Sequence, residues 1–209
     1  MLLLIIPAAY LAGSIPFGII AARIFGGKDP RATGSGNIGA TNVIRSAGKA
    51  AGIATLLCDI LKGALPTLLA FYIVSYVYVI GDDIYALPGM SMRVFFVSLA
   101  GFAAFLGHLF PVFLKFKGGK GVATACGVML VISPPAMLII AALFVLVVLI
   151  KRYISLGSII AASALPVILS FLPSVREYML LGVLIGVCVI IKHKENIKRL
   201  AAGTENKFF

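Results

Sequence analysis

Four polar stretches hold nearly every side chain able to do chemistry. The first is TGSGNIGATNVIR, Thr33 to Arg45. Its glycines Gly34, Gly36 and Gly39 let backbone N–H groups converge on an anion, and Ser35, Asn37, Thr41 and Asn42 add neutral donors. Arg45 supplies a planar, permanently charged fork suited to paired acceptor oxygens. A solvated loop of ordinary positive charge would carry the same residues, and the pattern does not separate the two. The three glycines also match GxGxxG, with Asp59 twenty positions beyond. A dinucleotide site would need a strand before the motif and a βαβ unit around it, and both flanks are apolar runs of another kind.

The second stretch is GHLFPVFLKFKGGKGVAT, Gly107 to Thr124. A nucleotide-binding P-loop ending at Lys120 would require glycine at position 114 and Ser or Thr at 121. Leu114 and Gly121 fail both requirements. Gly118, Gly119 and Gly121 around Lys120 still make a plausible anion cradle. A helix N-terminus there would point free N–H groups and a positive dipole end at the ligand. The plainer alternative is a snorkelling lysine on a flexible turn. His108 reads as a buried, satisfied histidine.

The third stretch places Ser155 and Ser158 one helical turn apart, just after Lys151-Arg152. They could serve a ligand, or bond the carbonyl four residues back. In the fourth, His193, Asn196 and Leu200 fall at i, i+3 and i+7, on one face of a helix continuing from an apolar run. Asp59 and Lys62, at i and i+3 within another apolar run, read as a mutually neutralising pair.

These stretches are strung between segments that must position them. The chain has 209 residues, 61% hydrophobic and 12% charged, with a mean hydropathy of +1.12. Soluble domains average about 45–50% apolar and 25% charged, so the excess belongs in lipid. A span needs about 20 apolar residues. Seven apolar segments can be drawn, at roughly 2–22, 52–80, 94–114, 122–133, 136–150, 154–172 and 178–191. The first lacks the basic start and cleavage site of a signal peptide and reads as a retained span. The fourth is short, and Pro134-Pro135 ends it. A re-entrant segment is the alternative to a crossing there.

The net charge of +11 lies in short runs between apolar segments, with no soluble module to dock on nucleic acid. Cys58, Cys126 and Cys188 stand alone in apolar runs. They fit neither a metal site nor a disulfide framework and read as small buried hydrophobes. Seven crossings put all four basic clusters on one side, leaving Arg93 and Arg176 with Asp82, Asp83 and Glu177 on the other. By the positive-inside rule the N-terminus is outside and the C-terminus cytoplasmic. The expected fold is all-α: a single polytopic domain over 1–209, with the polar stretches gathered at the cytoplasmic interface of a cell inner membrane. Neither internal repeats nor low-complexity tracts are evident.

SGNIGATNVIR (Ser35–Arg45), GHLFPVFLKFKGGKGVAT (Gly107–Thr124) and HKENIKRLAAGTENKF (His193–Phe208) closely resemble the three motifs of the PlsY family of acyl-phosphate:glycerol-3-phosphate acyltransferases. GSIPFG (Gly13–Gly18) and the serines after Arg152 resemble further family features. The resemblance implies acyl transfer from acyl phosphate to glycerol 3-phosphate, giving lysophosphatidate and phosphate, the first acylation of bacterial phospholipid synthesis. It implies neither metal nor cofactor, and a possible contact with the soluble enzyme that makes acyl phosphate. Both substrates are anionic, which suits catalysis by positioning and charge neutralisation.

On this reading the Gly34–Asn37 backbone and Ser35 hold acyl phosphate, while Arg45, Lys120, Ser158, His193 and Asn196 hold glycerol 3-phosphate. The hydroxyl proton goes to the substrate's own phosphate or to His193. An HxxxxD base motif is absent, since Phe113 follows His108 and Lys198 follows His193 at the required spacing. A transporter of organic phosphates would place its charge near the midplane and show inverted repeats.

Overall fold

The computed structural model describes residues 2–77, 85–87 and 90–208. Asp82 and Asp83, and the far end of the 52–80 segment, lie outside them. The described residues form nine helices: α1 (Leu2–Ser14), α2 (Phe17–Ile24), α3 (Ala40–Val77), α4 (Met92–Leu109), α5 (Val122–Ile132), α6 (Pro134–Lys151), α7 (Ile154–Phe171), α8 (Met179–Lys192) and α9 (Lys194–Ala201). A two-stranded antiparallel ribbon, Tyr85–Leu87 with Met90–Ser91, is the one feature the all-α expectation omits.

Six stretches are long and apolar enough to cross a membrane: Leu4–Ile24, Ala40–Val77, Met92–Leu114, Pro134–Lys151, Ile154–Phe171 and Pro173–Lys192. The protein is a multi-pass helical membrane protein. The remaining expected segment, the fourth along the chain, is α5, with 11 residues. At about 1.5 Å per residue it covers about 16 Å, half of a hydrocarbon slab. Ser133 ends α5 and caps α6, its hydroxyl accepting from the N–H of Ala136.

The first apolar run is two helices rather than one. Pro16 has no N–H to continue α1 and sits at the N-cap of α2. The carbonyl of Ile15, freed by this break, accepts from Lys62 Nζ at 2.9 Å. In lipid, a freed backbone group needs such a partner. Gly48 interrupts α3 at φ 90°, so the polar turns before it are set off from the spanning part.

The bundle is apolar on both sides. Val97, Phe105, Leu109, Val128, Met129, Leu169 and Ile185 fill the interior. Leu57, Leu61 and Leu65 of α3, and Leu138, Leu146 and Leu149 of α6, face outward, as lipid allows. With lipid outside, helix association rests on close packing. Gly127 of α5 presses on the backbone of Ile60 and Gly63 of α3 on that of Thr124, where a Cβ would collide with backbone atoms. The three cysteines are only half-buried, more exposed than expected; Cys126 and Cys188 pack at the margin of the core.

Two ends are distinct. At one, the N–H of Ser91 donates to the Glu177 carboxylate at 2.9 Å, beside the start of α4. At the other, about 27 Å along α4, lie His108 and the polar stretches.

Candidate active site

All four polar stretches line one cavity of about 550 Å³. At its polar end stand Gly34, Ser35, Asn37, Gly39, Thr41, Asn42, Arg45, Lys120, Gly121, Ser155, Ser158, His193 and Asn196. Further in, the walls become apolar: Met129, Met137, Ile140, Phe144, Leu165 and Ile185. From Ser155 to Leu165 the α7 wall runs about 15 Å. Residues as far apart in sequence as Gly34 and Asn196 thus share one chamber, cationic at one end and hydrocarbon-like at the other.

The 33–45 loop is organised by Asn42. Its buried amide nitrogen donates to the carbonyls of Pro30, Thr33 and Asn37, and its Oδ1 accepts from the N–H of Ser35 at 2.9 Å. Asn42 is therefore a pin for the loop, and its donors are spent. Asn37 Oδ1 accepts from Gly39 N–H. Gly34 has φ +58° with the Asn42 side chain pressed where a Cβ would go. Gly36, also at positive φ, does not line the cavity. Arg45 is exposed and makes no ion pair or hydrogen bond to the described residues, so its fork is open to a ligand.

The 118–121 turn is arranged differently from the expected cradle. The N–H of Gly119 donates to the carbonyl of His108 at 3.1 Å, and Gly118 and Gly119 pack tightly on His108 instead of lining the cavity. Gly121, at φ 82°, is the N-cap of α5. Gly121, Val122 and Ala123 do line the cavity, and the first N–H groups of a helix lack intrahelical partners. The free backbone donors at the cavity wall here belong to the start of α5.

Lys120 Nζ donates to Asn196 Oδ1 at 2.5 Å. Asn196 Nδ2 donates to Glu205 Oε1, which also accepts from Ser155 at 2.7 Å, while Arg199 donates to Glu205 Oε2. Burial alone would raise the Glu205 carboxyl, but the three donors outweigh it and hold it below the usual range. The tail after Gly203 folds back onto the bundle, Phe208 N–H meeting the carbonyl of Arg152. Glu205 and Arg199 were passed over in the sequence. The available signal was one of two carboxylates in a basic tail, in register with nothing visible along the chain.

Ser158 donates to the carbonyl of Ile154 at 3.0 Å, so its hydroxyl proton is taken up within its own helix. His193 is buried and its Nδ1 lies 2.7 Å from the Val189 carbonyl. A carbonyl only accepts, so Nδ1 carries the proton and Nε2 keeps its lone pair. Burial, reinforced by the charge of Lys120, pushes the imidazole down to about 4. Burial, aided by Arg199 and opposed by Glu205, brings the Lys120 ammonium down to about 8. At neutral pH the site pairs a neutral imidazole with a charged lysine.

Below this end, Asp59 and Lys62 form the expected pair, 2.9 Å apart. His108 is buried as expected but not satisfied: its Nδ1 is 3.6 Å from Asp59 Oδ1 and has no hydrogen-bond partner.

Fold and site together define a membrane-embedded protein whose cavity is polar and cationic at one end and apolar at the other. Comparison with known proteins places it further. The family model described as glycerol-3-phosphate acyltransferase matches residues 3–203. A glycerol-3-phosphate acyltransferase of Geobacter sulfurreducens is 50% identical over 208 residues, covering 99% of this chain and 97% of that one. One from Bartonella henselae is 45% identical, covering 98% and 90%. Two crystal structures of PlsY, an integral membrane glycerol 3-phosphate acyltransferase, superpose over all of this chain. The glycerol 3-phosphate form gives a TM-score of 0.85 at 39% identity and covers 96% of that chain; the lysophosphatidic acid form gives 0.83 at 38%, covering 95%. The chain belongs to the glycerol-3-phosphate acyltransferase (PlsY) family, an enzyme family of phospholipid biosynthesis.

Proposed function

We propose that the protein transfers a fatty acyl group from acyl phosphate to glycerol 3-phosphate, forming 1-acylglycerol 3-phosphate and inorganic phosphate. The observation carrying this reading is the split cavity: cations and helix-end N–H groups at one end, an apolar chamber of about 15 Å at the other. Such a chamber suits a donor with a charged head and a long chain. Acceptance of an acyl phosphate, with no thioester carrier, fits a site that offers two anion-binding turns.

The glycerol hydroxyl oxygen forms a bond to the acyl carbon, and the bond from that carbon to the phosphate oxygen breaks. Phosphate leaves with the electron pair. The 34–37 turn and Ser35 hold the acyl phosphate head. Arg45, Lys120, Asn196 and His193 hold glycerol 3-phosphate, with Ser155 and Glu205 fixing Asn196. Ser158, bonded to its own helix, has at most a lining role. The hydroxyl proton passes to the substrate's phosphate or to His193 Nε2. Neutralising charge on the leaving phosphate supplies most of the acceleration.

The topology proposed is seven crossings with the N-terminus outside and the C-terminus cytoplasmic, in the inner membrane. Lys120 at the start of α5 and Lys151-Arg152 at the end of α6 share one end of the bundle, so α5 runs inward from the site and α6 runs back. Because α5 is shorter by about 10 Å, the 118–121 turn is sunk below the interface. One cavity drawing on residues from 34 to 208 supports reading 1–209 as one domain. The soluble enzyme that makes acyl phosphate would deliver it at this face. A phosphatase fused at the C-terminus should be inactive in cells; an active one overturns the orientation.

The test of the reaction is phosphate release by protein purified in detergent. Release from acyl phosphate should require glycerol 3-phosphate, and acyl-CoA or acyl-carrier protein should not replace the donor. Equal turnover with a thioester donor would overturn the reading.

A further inference from the structure

Beneath the 118–121 turn lies a cluster that the proposed chemistry does not use. Asp59, Lys62 and His108 are at most 5% exposed, and Asp59 and His108 form part of the lining of the same cavity. Replacing such a group by hydrocarbon would remove a large desolvation cost, so stability alone is a poor reason for it. Its bonding is also incomplete: Asp59 Oδ1 is held by Lys62 Nζ, but His108 Nδ1 and the Thr124 hydroxyl lack hydrogen-bond partners.

The cluster touches several elements. Lys62 ties α3 to the α1–α2 break through the Ile15 carbonyl. Asp59, 2.9 Å from Lys62 Nζ, faces His108 Nδ1 at 3.6 Å. His108 in turn supports the turn above it on two sides. Its carbonyl accepts the Gly119 N–H, and its Nε2 edge occupies the space where a Gly119 Cβ would stand. The backbone leading into Lys120 is therefore braced by one residue, whose ring faces a carboxylate at 3.6 Å.

We propose that His108, oriented by the Asp59–Lys62 pair, is a positioning residue. It fixes the height of the 118–121 turn, so that Lys120 and the first N–H groups of α5 meet the phosphate of glycerol 3-phosphate. The inference rests on the proposed role of Lys120 and adds the structure that holds Lys120 in place. His108 acts through the turn, without contact to the reacting atoms.

The experiment uses full-length protein in detergent with added lipid. Phosphate release is followed at saturating acyl phosphate with glycerol 3-phosphate varied, and melting temperature is measured on the same samples. His108→Leu keeps the bulk and loses the polar edge. It should raise KM for glycerol 3-phosphate about tenfold, short of the hundredfold a full 1 Å displacement can cost, with kcat changed less. His108→Asn keeps an N–H near the place of Nδ1 and should recover most of that loss. Wild-type KM in both variants overturns the proposal, as does a loss of active fraction that tracks melting temperature while KM stays unchanged.

Where His108→Leu does not fold, Gly119 decides. Gly119→Ala should raise KM because its methyl meets the imidazole, and the same change in a His108→Ala background should cost less. Equal cost in both backgrounds overturns the proposal. Lys120→Ala is the control for the underlying reading. A normal KM there would remove Lys120 from the substrate site, whatever His108 does.

Discussion

The two glycine-rich turns at the cavity mouth are built by opposite means. The 33–42 loop is hydrogen-bonded by a single side chain, Asn42, and leaves the nearby cation, Arg45, open. The 118–121 turn rests on His108 and a helix end, and its cation is tied to Asn196 and through it to Glu205. A turn near water can be solvated while empty, so one amide suffices to shape it. A turn half-buried against other helices meets less water, and its buried backbone groups need a protein partner or a ligand. The difference teaches that a shared glycine signature need not mean a shared way of binding.

Arg45→Lys should break the comparison most sharply. If the open fork makes two charge-assisted bonds, a point charge recovers only part of them, and kcat/KM should fall about a hundredfold. Near-normal turnover in that variant would remove Arg45 from the site. Asn42→Ala should cost about tenfold to a hundredfold by releasing four bonds of its loop, without altering the pH response set at Lys120. If the alkaline limb moved, the two turns would not be independent.

The pH profile of kcat/KM sharpens the contrast from the other turn. Lys120 is charged below its value of about 8, so activity should be present at neutral pH and lost as pH rises through about 8. On the acid side, a phosphate dianion acting as base would lose activity below about 6. His193, neutral down to about 4, would lose it only near that value. The position of the acid limb therefore selects the proton acceptor. The smallest effect is expected for Ser158→Ala: its hydroxyl already serves Ile154, and kcat/KM should stay within about twofold. A hundredfold loss would mean that the hydroxyl turns to the substrate.

Much of the site was legible because its residue types have few other uses in lipid. Lys120, Arg45, His193 and Asn196 lie in polar stretches that stand out between apolar spans, and although His193 separates α8 from α9, His193 and Asn196 are both buried on one side. The Asp59–Lys62 pair was legible for the same reason. Roles within a turn were not. Asn42 looked like a ligand donor, and only its neighbours at Pro30, Thr33 and Asn37 make it a pin. Gly118 and Gly119 looked like a cradle, and only the close approach of His108 makes them packing glycines. Glu205 could not be assigned along the chain, since its partners Ser155, Asn196 and Arg199 come from two different elements.

The sequence by itself determined the solvent, the spans and the chemical inventory, because hydropathy and residue type are local properties summed along the chain. It did not determine that Pro16 would split the first span and hand the Ile15 carbonyl to Lys62. Nor did it determine that α5 would stop after 11 residues and leave Lys120 half-buried against Asn196. Those outcomes depend on which backbone groups find partners across helices, and in a medium without water that choice is made by tertiary packing.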